Sequence, residues 1–216
     1  MMELKTIWED FCFTEKIATE GKPLFQVDSS SIVATKLCGK ATVLCRTPAV
    51  DDYLAKTAIA LRKDYEDQTA KYDGILYMMF RQGENGVIPL YIGKTEKIGK
   101  KGSMSSLLKG AAPKPRWDDG PDYHIGGLSS CACQSSCPVV KKNYKKWASA
   151  LFKAVPAATP TLRWPVFLWL RLWRSNETGL WKEYGSTSLC FQETLLINVA
   201  NALFSRDILN TEGILR

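Results

Sequence analysis

The sequence lacks any hydrophobic run long enough to cross a membrane. A membrane-spanning helix needs about 18 or more consecutive apolar residues, and the longest run here, at Trp164–Trp173, is shorter and contains Arg171. The first residues, MMELKTIWED, have mixed charge and no hydrophobic stretch of the kind found in a signal peptide. We therefore expect a cytoplasmic protein with no membrane partner.

The sequence also lacks the cysteine pattern of a disulfide-stabilised protein. Its seven cysteines are an odd number, and nothing marks the chain as secreted, so a disulfide framework is not expected. Internal repeats and low-complexity tracts are absent as well. Hydrophobic residues make up 45% of the 216 residues, which is enough for a packed core and argues against a disordered chain.

Positive charge is concentrated in one part of the chain. The net charge is +7, and the segment from Lys94 to Arg116 contains seven basic residues against one acid, Glu96. The basic residues of this segment are Lys94, Lys97, Lys100, Lys101, Lys109, Lys114 and Arg116. Such a cluster indicates a polyanionic partner, although a solvated basic face gives the same pattern.

Apolar periodicity predicts several regular elements. A helix is expected where apolar residues recur at three- and four-residue steps, and a strand where Val, Phe and Trp are enriched. These patterns predict helices over 49–71, 139–152 and 189–204, a strand over 164–173 and a hairpin over 31–45. The order of elements predicts an α+β fold with a small, three-stranded, mainly antiparallel sheet flanked by helices.

The most informative segment is Asp73–Thr95, which reads DGILYMMFRQGENGVIPLYIGKT. Two short apolar runs flank a polar, Gly-containing turn, and this pattern is typical of a β-hairpin. The first run contains Gly74-Ile75, and the second ends in Tyr91-Ile92-Gly93-Lys94. These residues resemble the two signature segments of the GIY-YIG nuclease superfamily, in which a "GIY" strand pairs with a "YIG" strand.

The resemblance implies that Tyr91 lies in a catalytic pocket, where its phenol activates or orients water. A phenol with an ordinary pKa of about 10 needs help at neutral pH, and we expect Lys94, Lys100 or Lys101 to supply it by lowering the pKa. The alternative for Tyr91 is a strand tyrosine that packs half in the core.

The first motif departs from the family pattern at its tyrosine. Leu76 stands where the family has tyrosine, and Tyr77 follows it. Because neighbouring strand residues face opposite sides, Tyr77 can take this role only if the strand carries a bulge or a register shift.

The superfamily also supplies an arginine after the second motif, often with a histidine or tyrosine. A short helix expected over 103–108 has no arginine, so the nearest candidates are Arg116 and the only histidine, His124. The resemblance implies Arg116 as a phosphate clamp and His124 as a general acid, a general base or a phosphate donor. The alternatives are a surface arginine that stacks on Trp117 and an ordinary loop histidine.

The last predicted helix supplies the metal candidate, Glu193. The resemblance implies that this carboxylate holds one Mg²⁺ or Mn²⁺ ion and that Asn210 bonds phosphate or fixes the pocket. Glutamates near helix starts are also favoured by the helix dipole, which is the alternative for Glu193. Asn201, within the helix, is the rival of Asn210.

Three cysteines offer a competing metal site. Cys131, Cys133 and Cys137, with His124 upstream, have the composition of a Cys₃His zinc site, but their spacing is not the usual CxxC. We rank this zinc site below the nuclease role of His124.

Together these observations predict a metal-dependent endonuclease that hydrolyses double-stranded DNA, as restriction and phage-defence members of the superfamily do. We expect residues 1–70 to form an accessory region and residues 71–216 the nuclease core, with a Cys-rich insertion near 128–140. These additions would shape binding or form a homodimer. The predicted DNA-binding lysines are Lys94, Lys97, Lys100, Lys109 and Lys114. The alternatives are an inactive DNA-binding module on the same scaffold and a zinc-stabilised nucleic-acid-binding protein.

Overall fold

The computed structural model describes residues 3–38, 41–99, 102–105, 125–134, 142–174 and 176–214. Its helices are α1 (Leu4–Thr14), α2 (Ile17–Glu20), α3 (Pro48–Glu66), α4 (Ile125–Ala132), α5 (Lys142–Leu151) and α6 (Leu189–Phe204). Its strands are β1 (Lys22–Pro23), β2 (Thr35–Cys38), β3 (Ala41–Leu44), β4 (Gly74–Gly83), β5 (Gly86–Glu96) and β6 (Phe167–Trp173). Within these residues, no helix combines the length and hydrophobicity needed to span a membrane.

The main sheet has four strands in the order β1-β6-β4-β5. The long central strand β4 pairs antiparallel with both β5 and β6, so the predicted α+β class and the mainly antiparallel sheet are confirmed. The predicted number of three strands is wrong, because the two residues of β1 extend the sheet beyond β6. So short a strand has no periodicity that a sequence pattern could reveal.

The chain divides into two compact units, and the division does not follow the predicted boundary at residue 70. The first unit comprises Met1–Lys22, Asp52–Pro115 and Phe167–Arg216, and the second comprises Pro23–Asp51 and Arg116–Val166. The N-terminal helix α1 and most of α3 therefore belong to the same unit as strands β4, β5 and β6.

The first unit is organised around an apolar cluster on one face of β4. Leu76, Met78 and Phe80 alternate along this strand and are buried together with side chains of α1 and α6, among them Trp8 and Leu196. Each fully buried large apolar side chain stabilises the folded state by about 1.5–3 kcal/mol. This packing fixes α6 against the sheet.

The start of α6 is defined by a capping residue. The Ser188 hydroxyl accepts a hydrogen bond from the Phe191 N–H at 3.3 Å, which satisfies one of the free donors at a helix start. The bounds of α6, Leu189–Phe204, are those that the apolar periodicity predicts. The cap and the buried stripe together set the position of Glu193, in the second turn.

The second unit contains the β2–β3 hairpin and the helices α4 and α5. The hairpin is antiparallel, with Thr35 opposite Leu44, as the sequence predicts. The Leu44 N–H donates to the Ser129 hydroxyl of α4 at 2.9 Å. The sequence did not predict α4, because Gly126-Gly127 within it suggests a loop. A Cβ atom at Gly127 would lie 2.5 Å from the Tyr144 ring of α5, so glycine is required by this close packing.

Candidate active site at the edge of the sheet

Tyr77 and Tyr91 lie on the same face of the β4–β5 pair. Tyr77 is opposite Gly93, and Tyr91, two residues before Gly93, shares its face. The two ring centroids are 6.2 Å apart with an angle of 33° between the planes, and the Tyr77 side chain hydrogen-bonds to Tyr91. The hairpin therefore brings two phenols together.

Gly93 makes this arrangement possible. A Cβ atom at this position would lie 2.4 Å from the Tyr77 hydroxyl oxygen, a distance that no ordinary contact allows. Only glycine lets the Tyr77 ring extend across β5. The second motif therefore contributes both a tyrosine and the space into which the first tyrosine fits.

Leu76 has a different role from its neighbour. It is fully buried in the apolar cluster on the opposite face of β4. The β4–β5 register is regular from Tyr77 opposite Gly93 to Met79 opposite Tyr91, and it shifts only beyond them, between Met79 and Phe80. Tyr77 therefore faces Tyr91 without the bulge or register shift that it was expected to need. Tyr77, and not Leu76, is the tyrosine-motif residue that faces Tyr91.

The environment of Tyr91 disfavours its ionised form. Burial raises the pKa of Tyr91, the charge of Glu193 raises it further, and the hydrogen bond from Tyr77 acts in the opposite direction. The expectation that Lys94 lowers this pKa is wrong. Lys94 is three residues from Tyr91 and so lies on the other face of β5, where carboxylates engage its ammonium group.

Glu193 is held against β5 by Lys94. The Lys94 Nζ atom lies 3.7 Å from the Glu193 carboxylate and 2.7 Å from that of Glu96, and the Lys94 N–H also donates to Glu193. Burial raises the pKa of Glu193, and Lys94 opposes this effect. Burial would lower the pKa of Lys94, but the net shift is upward because Glu96 and Glu193 stabilise the cation.

Glu96 is a member of this cluster that the sequence did not suggest as a site residue. Lys94 and Glu96 are two residues apart on a predicted strand and so share a face. That spacing was the available signal, but Glu96 was counted only as the one acid within the basic segment.

Asn210 supports the edge of the site. Its side-chain oxygen accepts from the Ile92 N–H at 3.0 Å, and its amide nitrogen donates to the Ile92 carbonyl at 2.8 Å. Beside it, the Leu209 N–H donates to the Leu90 carbonyl at 2.7 Å. Of the two predicted roles of Asn210, the geometry favours fixing the pocket, because both polar atoms of the side chain are bonded to β5.

Lys97 does not occupy the surface position expected of a DNA-binding lysine. It is only 7% exposed, and its ammonium group lies 2.5 Å from a carboxylate oxygen of Asp64, which is also buried. Asp64 accepts further hydrogen bonds from the Thr69 hydroxyl and from the N–H groups of Lys71 and Tyr72. This pair joins the end of β5 to the last turn of α3, so the assignment of Lys97 to DNA binding is wrong.

Several predicted site residues lie outside the described part of the chain. They are Arg116, His124, Lys100, Lys101, Lys109, Lys114 and Cys137. The segment 103–105, at the start of the short helix expected over 103–108, is described and is not helical; Met104 instead forms a β-bridge with Ile98.

The two described cysteines of the predicted zinc site are buried free thiols. Cys131 and Cys133 are 8% and 3% exposed. Burial raises the pKa of both, that of Cys133 to about 11. Within the described residues, no group of three or more His, Cys, Asp or Glu side chains is placed to hold a metal ion. Since Cys137 and His124 lie outside those residues, the zinc site stays a prediction.

A single divalent cation is compatible with Glu193. Mg²⁺ usually keeps several water ligands and binds through one or two carboxylates together with substrate phosphate. The Glu193 side chain is 20% exposed, and one of its oxygens already lies near the cationic group of Lys94. The chemistry of this partly open carboxylate therefore fits the predicted ion.

The structure thus brings Tyr77 and Tyr91 together on one face of the β4–β5 pair. Glu193 contacts Lys94, whose side chain lies on the other face of β5, and Asn210 is bonded to the outer edge of that strand. Comparisons with protein-family models, with curated proteins and with solved structures found no match. Function is therefore inferred from the chemistry of these side chains.

Proposed function

We propose that the chain is a GIY-YIG-type endonuclease that hydrolyses a DNA phosphodiester bond with one divalent cation. The observation that supports this proposal is the pair of hydrogen-bonded phenols, Tyr77 and Tyr91, on one face of the β4–β5 hairpin. The charge of Glu193, which is bound by Lys94 on the other face of β5, also raises the pKa of Tyr91. The antiparallel strands β5, β4 and β6, followed by a helix that carries Glu193, also agree with the layout expected of the superfamily. This likeness of layout is supporting analogy only.

In the proposed mechanism, Tyr91 receives a proton from water. The water oxygen forms a bond to phosphorus as its proton passes to the ionised phenol, and the phosphorus–oxygen bond to the leaving group breaks. The hydrogen bond from Tyr77 stabilises the ionised phenol. A Mg²⁺ or Mn²⁺ ion held by Glu193 would stabilise the leaving oxygen and offset the negative charge that Glu193 places near Tyr91.

The remaining roles fall to residues outside the described part of the chain. Arg116 would neutralise charge on the phosphate through its permanently charged guanidinium group. His124 would bond the phosphate or exchange a proton with it. The predicted basic residues Lys100, Lys101, Lys109 and Lys114 would bind the phosphates on either side.

The test is a plasmid-nicking assay with Mg²⁺. Tyr91→Phe removes only a hydroxyl group and Glu193→Gln only a charge, and each should lower the rate at least about 100-fold. The matched controls are Tyr65→Phe on α3 and Glu84→Gln in the exposed β4–β5 turn, which should retain the wild-type rate.

Each other outcome points to a different function. DNA binding by a wild-type protein that does not cleave would favour the inactive DNA-binding module. Stoichiometric zinc in the purified protein would favour the zinc-stabilised alternative. Cleavage only at a short recognition sequence would support a role in restriction or phage defence.

A further inference from the structure

The exposed face of α5, in the second unit, carries positive charge that no acidic residue of the helix balances. This face consists of Asn143, Lys145, Lys146 and Ser149. The opposite face, formed by Tyr144, Trp147, Ala148 and Leu151, is buried. In the described part of the chain neither Lys145 nor Lys146 is paired with a carboxylate, whereas Lys94 and Lys97 of the first unit both are.

The surrounding segment does not supply the missing negative charge. Among the described residues 125–134 and 142–166 there is no acid, and the basic residues are Lys142, Lys145, Lys146, Lys153 and Arg163. The whole segment Arg116–Val166 contains seven basic residues against three acids. By contrast, helix α3 mixes three basic residues with four acids. Unbalanced positive charge on one face of a domain attracts a polyanion.

The positions of these lysines within α5 do not favour the helix. Lys142, Lys145 and Lys146 all fall in the first half of a ten-residue helix whose first turn has no acid. Positive charge near a helix start is unfavourable, because the helix dipole is positive at that end. The lysines therefore cost the folded protein some stability, and a bound anion would remove that cost.

Lys145 also lines a cleft in which hydrogen-bond donors converge. The cleft has a volume of about 610 Å³, and its polar lining residues include Ser130, Gln134, Lys145 and Ser149. Its other lining residues are Cys131, Cys133, Ala148, Val155 and Pro156, so no acid is found among those that the structure describes. Ammonium, hydroxyl and amide groups all donate hydrogen bonds to phosphate oxygens. The chemistry of the cleft thus suits a phosphate group.

We propose that the exposed face of α5 binds the phosphate backbone of duplex DNA, with Lys145 and Lys146 as the main contacts and a phosphate in the cleft. Ten residues of helix extend for about 15 Å, and duplex DNA carries one negative charge per about 1.7 Å of its axis, so several phosphates come within reach. Contacts of this kind carry no sequence information. The proposal extends the proposed function, because it adds a substrate contact in the second unit, whereas Tyr77, Tyr91 and Glu193 belong to the first.

The packing of α5 favours DNA over an anionic membrane as the partner. A helix that lies on a membrane inserts its apolar face between the lipids. The apolar face of α5 is instead buried within the protein, where Tyr144 and Trp147 are each 6% exposed. Only polar and charged side chains are left for the partner, and these are the types that contact phosphates in protein–DNA interfaces.

The test measures binding of the full-length protein to a labelled duplex in EDTA, so that cleavage is not required. The dissociation constant is determined between about 50 mM and 200 mM salt, because each lysine–phosphate contact contributes about 0.9 to the slope of log K against log salt. The double variant Lys145→Gln, Lys146→Gln should lower this slope by about 1.8 and weaken binding at about 0.1 M salt at least about tenfold. Its urea denaturation curve should match that of the wild type, since both side chains are exposed.

The matched control is the double variant Lys56→Gln, Lys63→Gln. It removes the same charge from exposed positions of α3, where acids are already present, and it should keep the wild-type slope. An unchanged slope in the α5 variant, an equal loss in both variants, or binding to anionic vesicles but not to DNA would overturn the proposal. Lysine-dependent binding without cleavage by the wild type in Mg²⁺ would refute the nuclease function alone. Cleavage with an unchanged slope in the α5 variant would refute the role of α5 alone.

Discussion

Lys94 and Lys97 are three residues apart in the same basic segment, yet the fold gives them opposite environments. Lys94 is partly exposed and shares its charge between Glu96 and Glu193. Lys97 is buried against Asp64, whose oxygens also accept hydrogen bonds from a hydroxyl and two N–H groups. The Lys97–Asp64 pair is buried and fully hydrogen-bonded, so it connects two parts of the fold. The Lys94–Glu193 pair is partly exposed, so the Glu193 carboxylate can exchange one partner for another.

The largest effect on stability should follow from breaking the buried Lys97–Asp64 pair. Asp64→Ala leaves the Lys97 ammonium buried without its carboxylate, and such a loss typically destabilises a protein by about 3–5 kcal/mol. Urea denaturation measures the free energy of unfolding. The control is Asp67→Ala, at an exposed residue just after α3, which should change this energy by less than about 0.5 kcal/mol. A similar loss in both variants would contradict a special role of the pair.

Lowering the pH should protonate Asp64 and so break its ion pair with Lys97, within a defined range of pH. Burial alone would raise the pKa of Asp64, but the hydrogen bonds from Lys97, Thr69, Lys71 and Tyr72 together lower it from its ordinary value to about 2. A group with a lowered folded-state pKa contributes stability above its unfolded pKa and loses it as the pH falls through the folded one. The free energy of unfolding should therefore fall by about 2 kcal/mol between about pH 4 and pH 2. Asp64→Asn should show a shallower loss in this range in urea titrations.

Breaking the partly exposed Lys94–Glu193 pair should lower the nicking rate more than it lowers the free energy of unfolding. Lys94→Met removes the cation beside Glu193, so we expect nicking to fall about tenfold. The free energy of unfolding should change by less than about 1 kcal/mol, because a partly exposed pair contributes little. Nicking rates and urea curves on the same preparations separate the two effects. A loss of stability as large as that of Asp64→Ala would show that both lysines are structural.

The smallest effect is expected from Glu96→Gln. The Glu96 side chain is 50% exposed, so its pair with Lys94 should contribute about 0.2–1 kcal/mol at most. Lys94 keeps Glu193 as a partner in this variant, so nicking should stay within about twofold of the wild type. A larger loss would mean that Glu96 takes part in the site directly.

The sequence was a good guide to elements whose signals are local. The antiparallel pairing of β4 and β5 follows from alternating apolar runs around a turn, and the bounds of α6 follow from its apolar stripe and Ser188. The same local signals placed Tyr91 on a strand and Glu193 early in a helix.

Roles that depend on distant partners could not be predicted. Lys97 is paired with Asp64, 33 residues earlier, and Asn210 with Ile92, 118 residues away. The burial of Lys97 depends on how the loop before β4 folds, which composition does not encode. The choice between Leu76 and Tyr77 likewise depended on strand register, which a single-residue slip would invert.

The bonding of Leu209 and Asn210 to β5 has a consequence for the behaviour of the molecule in concentrated solution. The outermost strand of a sheet is a template on which another polypeptide can add, and it is a common origin of aggregation. Here the outward-facing groups of Leu90 and Ile92 are already occupied by the chain's own C-terminal residues. A protein shortened before residue 209 would expose this template and should self-associate, so the C-terminal segment acts as a guard against misassembly.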